Sequence, residues 1–371
     1  QTYVEHVRNV KEAAVRFARA AVGGTDDGSL AYAQKDGNLL IRCAEESSEW
    51  HDLGKLLKEN QAVLRGIDRH DHLKTNHADA GAAVLMKAWF ARDNTPALAV
   101  YSHHRGLPNI AEEESKEKDC YRDIANGGND RRRVNMELES LNSLHRKLTG
   151  ASPAEKLEPP TGDFGIFSRM LLSCLADADH TDTAIHYQQY PEDMKSPQLR
   201  AEERLEQLDR YVEKFPLTDE RNKLRAMMYQ VCKHAELNEN IVACDSPVGS
   251  GKTTAVMAHL LNEAIKRKAR RVFVILPFTN IIKQSVEVYR EALVLPGEDP
   301  TEVVAELHHR ADFQSAEARV YNAQWRAPII VTTAVAFFET IASNRPAALR
   351  RLHELPGIVI FVDEAHAAPR V

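Results

Sequence analysis

No apolar run in the chain approaches the roughly 18 residues that a helical bilayer crossing needs, so a membrane is not expected among its partners. No positively charged leader followed by an apolar stretch opens the sequence, so no export signal is visible. The first residue is Gln1 rather than Met, which leaves the true start open. Cysteine is scarce. Cys43, Cys120, Cys174, Cys232 and Cys244 make an odd five without a Cys-x-x-Cys pair. That argues against a disulfide frame or a zinc knuckle, and for a reducing, cytoplasmic setting. Internal repeats and low-complexity tracts are also missing, which excludes solenoids and arrays. Nor is there an excess of positive charge: 48 Lys and Arg face 54 Asp and Glu, a net charge of −6. Any nucleic-acid contact must therefore be local. Two basic clusters are available, Arg131-Arg132-Arg133 and Lys266-Arg267-Lys268-Ala269-Arg270-Arg271. The second also suits a solvated helix end, where cations meet the negative pole of the helix dipole.

What is present is an ordinary globular composition, 43% hydrophobic and 27% charged, over 371 residues. Two or three domains are expected, each able to bury a core. The first half reads as helices. Val7, Val10, Ala14, Phe17 and Ala21 recur at helical spacing, and residues 78–91 and 164–178 are apolar and periodic. Segments 111–135 and 149–163 read as loops, rich in charge, Asn, Gly and Pro. Leu199, Leu205, Leu208, Val212 and Phe215 suggest one more helix, closed by Pro216, where a domain boundary is placed. Beyond it, apolar runs at 241–244, 272–276, 329–331 and 358–362 are separated by helix-length segments, the pattern of a parallel sheet with crossover helices. The expected fold is thus multidomain: an all-α domain over 1–216, then an α/β parallel-sheet domain over 217–371.

The helical half concentrates histidine and aspartate: His6, the pair His51-Asp52, His77, the pair His103-His104, and Asp177 or Asp179. A two-metal hydrolytic centre needs several imidazoles and a carboxylate that can bridge the ions, which then activate water and hold a scissile phosphate. Consecutive helical residues project about 100° apart, so His51 and Asp52 can address neighbouring coordination positions. Gly54 would then let the chain turn away. Imidazole with carboxylate suits iron, cobalt, nickel, manganese or zinc. His70 and His72 match no such spacing, the His308-His309 pair, at a strand end of the other domain, reads as structural, and His145 and His180 read as surface residues.

The second half carries Ser246-Pro247-Val248-Gly249-Ser250-Gly251-Lys252-Thr253 between the run at 241–244 and a helix. Gly249 and Gly251 would let backbone N–H groups of Gly249, Ser250, Gly251, Lys252, Thr253 and Thr254 close around phosphates. Lys252 would reach the β and γ oxygens and Thr253 would hold Mg²⁺. The strict pattern wants Gly where Ser246 stands. About 110 residues on, Asp363-Glu364-Ala365-His366 follows an apolar run. There Asp363 would hold Mg²⁺ and Glu364 would activate the attacking water. Leu276-Pro277-Phe278-Thr279-Asn280 and Val331-Thr332-Thr333 resemble helicase segments that touch a DNA backbone.

The order His, His-Asp-x-Gly-Lys, His, His-His, Asp in a helical domain, followed by these motor motifs, resembles the HD nuclease–DEAD/DEAH helicase of type I CRISPR systems. The resemblance covers nearly the whole chain. It implies an HD-type metal phosphohydrolase domain followed by a first RecA-like domain, with a second RecA-like domain absent from this chain. It implies two divalent transition-metal ions (Fe, Co, Ni or Mn) on His6, His51, Asp52, His77, His103, His104 and Asp177. Asp177 is preferred to Asp179 because the family's last ligand follows a Leu-Ala or Leu-Val pair. It also implies catalytic roles for Asp52, Lys55 and Glu364, with ATP and Mg²⁺ at the second site. The expected activity is cutting of single-stranded DNA coupled to ATP-driven 3′→5′ translocation. An RNA-guided surveillance complex is the expected recruiting partner. ATP sites of this class form between two RecA-like domains, so this chain is expected to bind nucleotide weakly and not to translocate alone. The competing readings are an HD phosphohydrolase of small nucleotides and a non-catalytic docking module on a helicase.

Overall fold

The computed structural model describes residues 1–23, 34–88, 94–115, 131–191, 196–236, 239–307 and 324–365, with only the backbone for 34, 35, 110, 114 and 131–136. Cys120, His308, His309 and His366, the side chains of Arg131-Arg132-Arg133, and the middle of the loop expected at 111–135 therefore lie outside the described residues.

The chain divides into two compact units. The first comprises Gln1–Gln189 together with Thr340–Pro356. It is helical: α1 (Tyr3–Ala21), α2 (Gln34–Trp50), α3 (Lys58–Leu64), α4 (Ala78–Ala88), α5 (Thr95–Ser102), α6 (Ile110–Ser115), α7 (Arg131–Thr149) and α8 (Phe164–His186). Helix α1 starts at Thr2 because a reciprocal capping box closes it. Thr2 Oγ1 accepts from the Glu5 backbone N–H at 3.3 Å, and Glu5 Oε2 accepts from that of Thr2 at 2.8 Å. Its apolar stripe, Val7, Val10, Ala14, Phe17 and Ala21, is buried as its spacing requires. Helix α1 packs on α2 and α8, and α5 packs on α2, α4 and α8. Phe17, Leu40, Cys43, Leu171 and Leu175 form one part of the core, and Trp50, Leu53, Leu85, Val100 and Leu138 another. Each large apolar side chain so buried contributes about 1.5–3 kcal/mol relative to exposure.

The segment Thr340–Pro356 belongs to this first unit although it lies between two strands of the second. Leu349 and Leu352 bury against Leu172 and Ala176 of α8. The Leu107 N–H donates to Asn344 O at 2.9 Å, and Asn344 Nδ2 donates to Leu107 O at 3.0 Å.

The second unit comprises Tyr190–Glu339 and Gly357–Val371. It holds α9 (Ala201–Glu213), α10 (Glu220–Lys233), α11 (Lys252–Arg267), α12 (Thr279–Leu293) and strands β1 (Arg271–Leu276), β2 (Val304–Leu307), β3 (Ile329–Thr333) and β4 (Ile358–Val362). All pairings are parallel, in the order β2-β3-β1-β4. Three of the four expected strands form. The run at 241–244 does not: Ile241 is 92% exposed, and no ladder among the described residues repays the ordering of its backbone. Strand β2 was not anticipated.

The boundary expected near Pro216 falls inside the second unit. Helix α9 packs on α11 and α12. The reason is Arg204, fully buried. Its Nε donates to Leu199 O at 2.7 Å, Nη1 to Leu293 O at 2.9 Å and Nη2 to Glu298 Oε1 at 3.0 Å. A buried guanidinium is tolerated only where carbonyls and a carboxylate converge on it, and two of these partners come from the last residue of α12, Leu293, and from Glu298 beyond it.

Candidate metal and nucleotide sites

Four elements of the first unit bring the histidines together. Helix α1 supplies His6, the end of α2 supplies His51 and Asp52, the residue before α4 supplies His77, and the end of α5 supplies His103 and His104. His51 Nδ1 donates to Ser48 O at 2.7 Å and His103 Nδ1 to Val100 O at 2.6 Å, so each ring turns Nε2 inward. Gly54 makes the approach of His77 possible, though not as a flexible turn. A Cβ there would lie 2.6 Å from both Cα and O of His77, and the Gly54 N–H donates to that same carbonyl at 3.0 Å.

Two groups of donor atoms result, His6, His51, Asp52 and Asp179 in one and His77, His103 and His104 in the other, each with its atoms within 4.8 Å of one another. His6 Nε2 lies 2.9 Å from Asp52 Oδ2 and 3.3 Å from Asp179 Oδ1. His51 Nε2 lies 3.4 Å from Asp52 Oδ2. Asp52 Oδ1 turns the other way, 3.4 Å from His77 Nε2, which is 2.9 Å from His104 Nε2. Asp52 thus has one oxygen toward each group. Lys55 Nζ pairs with Asp52 Oδ2 from the half-exposed side.

The electrostatics divide along the same line. Burial alone would lower the His6 imidazole, but hydrogen bonds to Asp179, Asp182 and Asp52 outweigh it and carry it to about 11. His51 is likewise lowered by burial and lifted by Asp52 and Asp179, to about 9. Burial would raise the Asp52 carboxyl, yet His51 and Lys55 hold it well below the usual carboxylate range. In the second group nothing opposes burial effectively, so His77 falls to about 4 and His103 and His104 to about 3. These three are neutral imidazoles, the form that ligates a metal.

Asp52 Oδ1 and His103 Nε2 are buried without a hydrogen bond, while Asp52 Oδ2 is met by His6 and Lys55. Orphaned acceptors inside a protein cost about 1–3 kcal/mol each, more when charged. A pair of divalent cations would satisfy both, so the residues present fit such a group. The donors are imidazole and carboxylate without thiolate, a set that suits iron, cobalt, nickel, manganese or zinc.

One sequence expectation is corrected here. Asp177 is not at the cluster. It is fully buried on another face of α8, where Arg350 Nε and Nη2 each meet its Oδ1 at 3.0 Å. Asp179 is the residue that faces His6 and His51. Two helical positions are about 200° apart, so only one of the pair can look inward. His145 is also corrected: it is fully buried, with Tyr3 Oη at 2.9 Å from its Nδ1 and Glu49 Oε1 at 3.1 Å from its Nε2. His70, His72 and His180 are exposed. Asp182, unnoticed in the sequence, contacts His6 Nδ1 at 2.6 Å. Its spacing of three from Asp179 on one helix is the signal that could have found it.

In the second unit the candidate nucleotide loop precedes α11. Gly249 and Gly251 take φ of 82° and 83°, left-handed values that favour glycine. Ser250 Oγ donates to Ser246 Oγ at 3.1 Å, so the serine at the non-consensus position closes the loop on itself. Arg225 Nε, from α10, donates to Gly249 O at 3.0 Å. Lys252 Nζ stands 4.0 Å from Asp363 Oδ1, and the Asp363 N–H donates to Ile275 O at 2.9 Å. Glu364 has φ of 49°, an uncommon backbone for a non-glycine residue and one often found at functional sites. Thr253 and Thr254 stand in the first turn of α11, with Thr254 Oγ1 donating to Gly251 O at 3.1 Å. Leu276 and Thr333 are register partners at the carboxyl ends of β1 and β3. With Asp363 after β4, the motif residues line the carboxyl edge of a parallel sheet, where such sheets bind ligands.

Residues 226–369 match the family model of the DEAD/DEAH box helicases. No curated protein matches the sequence. Among solved structures, that of T. fusca Cas3 with AMPPNP is similar over 99% of this chain and 46% of its own, at 17% identity and a TM-score of 0.54. That of T. fusca Cas3 with ADP is similar over 98% of this chain and 45% of its own, at 18% identity and a TM-score of 0.52. The chain therefore spans less than half the length of these structures, and at such identities the likeness is one of fold. The second unit carries a DEAD/DEAH box helicase domain, an ATP-dependent type, and the chain shares its fold with T. fusca Cas3.

Proposed function

We propose that the chain is part of a metal-dependent single-stranded DNA nuclease coupled to an ATP-dependent 3′→5′ helicase, acting in type I CRISPR interference. The observation that carries the nuclease reading is Asp52: a buried carboxylate with a histidine group on either side and its Oδ1 without a hydrogen bond. Two divalent transition-metal ions held there would supply an activated water and offset the charge of a scissile phosphate. His6, His51, Asp52 and Asp179 would hold one ion, and His77, His103 and His104 with Asp52 the other. Lys55 would neutralise Asp52 and meet an incoming phosphate. In the second unit Lys252, Thr253 and Asp363 would bind ATP with Mg²⁺, and Glu364 would orient the attacking water. The direction of translocation, the CRISPR setting and an RNA-guided surveillance complex as partner follow from the resemblance noted in the sequence. A single strand read by its backbone would need no base specificity.

The test is cleavage of circular single-stranded DNA with EDTA, Mg²⁺, Mn²⁺, Co²⁺ or Ni²⁺, beside Asp52→Ala. Nicking that needs a transition metal and vanishes in the variant is expected. Hydrolysis of mononucleotides but not of DNA would point to a small-nucleotide phosphohydrolase. Absence of both cleavage and bound metal would leave a docking module.

A further inference from the structure

Three of the five histidines of the cluster, His6, His51 and His103, have Nδ1 held by a partner, and they are not held alike. His51 and His103 each place Nδ1 on a backbone carbonyl, Ser48 O and Val100 O. His6 alone places Nδ1 on a carboxylate, Asp182 Oδ2, at 2.6 Å. That carboxylate is itself held: Asn9 Nδ2 donates to Oδ1 at 2.9 Å and Gln1 Nε2 to Oδ2 at 2.7 Å. Asp182 and His6 are both 7% exposed, so water does not dilute the contact. Asn9 is three residues after His6 on α1, and Asp182 three after Asp179 on α8. One hydrogen-bonded pair thus ties the helix that brings His6 to the helix that brings Asp179.

We propose that Asp182 is a positioning residue of the metal centre: it fixes His6 with its proton on Nδ1 and its Nε2 lone pair toward Asp52 and Asp179, and puts a carboxylate behind that ligand. The inference rests on the reading of the cluster as a metal centre. A backbone carbonyl orients a ring but adds no charge; a carboxylate does both, and partners of this kind change metal affinity by about 10–100-fold when removed. The ion on the His6 side should therefore bind first and tightest, and the pair of ions should load in two steps.

The experiment titrates Co²⁺ into the metal-free chain, following its visible absorption, for the wild type, Asp182→Asn and Asn9→Ala. Asp182→Asn keeps the shape and removes the charge. It should weaken the tighter step by about 10–100-fold and shift the spectrum of the ion that does bind. Asn9→Ala, which only loosens Asp182, should weaken the same step less, by roughly threefold, and it carries the test if Asp182→Asn does not fold. A merely structural role would lower the thermal midpoint and leave the spectrum and affinity of the folded protein unchanged. Affinities within twofold of wild type in both folded variants overturn the inference while leaving the metal centre intact. A wild-type chain that takes up no Co²⁺ overturns the metal centre itself, and the inference with it.

Discussion

Asp177 and Asp179 stand two residues apart and should fail in different ways. Arg350 reaches Asp177 through both Nε and Nη2 at 3.0 Å, and Asp177 is fully buried. Removing a guanidinium from such a carboxylate costs about 3–5 kcal/mol, because the charge stays buried. The Arg350 side chain is 19% exposed, which lets some water in, so about 2–4 kcal/mol is the better expectation for Arg350→Met. A unit of this size shifts by about 2–4 °C per kcal/mol, which puts the midpoint of the first unit down by roughly 5–15 °C. Asp177→Asn should behave similarly. Neither should change Co²⁺ affinity at a temperature where the protein is folded. Asp179→Asn should act on the metal instead: it removes Co²⁺ binding at the His6 group and metal-dependent cleavage in a protein still folded at the assay temperature. Its own effect on the metal-free midpoint is a fall, because Asp179 helps to hold His6 and His51 charged. Calorimetry with Co²⁺ titration on all three variants decides. An Asp177→Asn protein of native stability that binds no metal would refute the assignment. So would an Arg350→Met protein within about 0.5 kcal/mol of wild type, the range of an ordinary surface change.

Gly54→Ala would put a methyl group 2.6 Å from the His77 backbone, and overpacking of this kind costs about 1–3 kcal/mol. His77 should be displaced and the second Co²⁺ step weakened more than the first; equal weakening would argue against this role for the glycine. In the metal-free protein His6 and His51 are raised to about 11 and 9, above the roughly 6.5 of an unfolded histidine. Their stabilisation is thus complete below about pH 6.5 and lost as the pH climbs through those values, so the thermal midpoint should fall between pH 7 and 10. Saturating metal, which replaces those protons, should flatten the fall. Lys252→Ala should abolish binding of a fluorescent ATP analogue, while Glu364→Gln should retain it and lose hydrolysis in a chain that hydrolyses ATP.

The sequence disclosed elements better than it disclosed their partners. Strands β1, β3 and β4 are apolar runs with turn residues after them, and the loop before α11 announces itself by Gly249 and Gly251. These are local facts. The last carboxylate of the cluster is not, because α8 is buried on nearly every side from Phe167 to Ala178 and offers no exposed face to orient it. Nothing in Leu175-Ala176-Asp177-Ala178-Asp179 says which aspartate finds Arg350, 173 residues away. Pro216 does end a helix, but the allegiance of that helix is set by Arg204 reaching Leu293 and Glu298. The run at 241–244 shows the converse: β propensity without a neighbouring ladder makes no strand. His145 looked like a surface residue because its partners, Tyr3 and Glu49, lie far off in sequence.

The excursion of Thr340–Pro356 into the first unit bears on how the protein is made. Synthesis runs from the N-terminus at about 5–20 residues per second, and early domains normally fold as they emerge. Here the first unit is not whole when Gln189 leaves the ribosome. The cover for Leu172 and Ala176, and the guanidinium for Asp177, arrive with residues 346–352, on the order of 10–30 s later at that pace. By then α9–α12 and strands β1–β3 have already been delivered. A product cut short between Gln189 and Thr340 carries every histidine of the cluster yet lacks the cover for Leu172 and Ala176 and the Arg350 partner of Asp177. Residues 340–356 are thus the last part of the first unit to be made, and a nascent chain completes the cluster's scaffold only after most of the second unit has been synthesised.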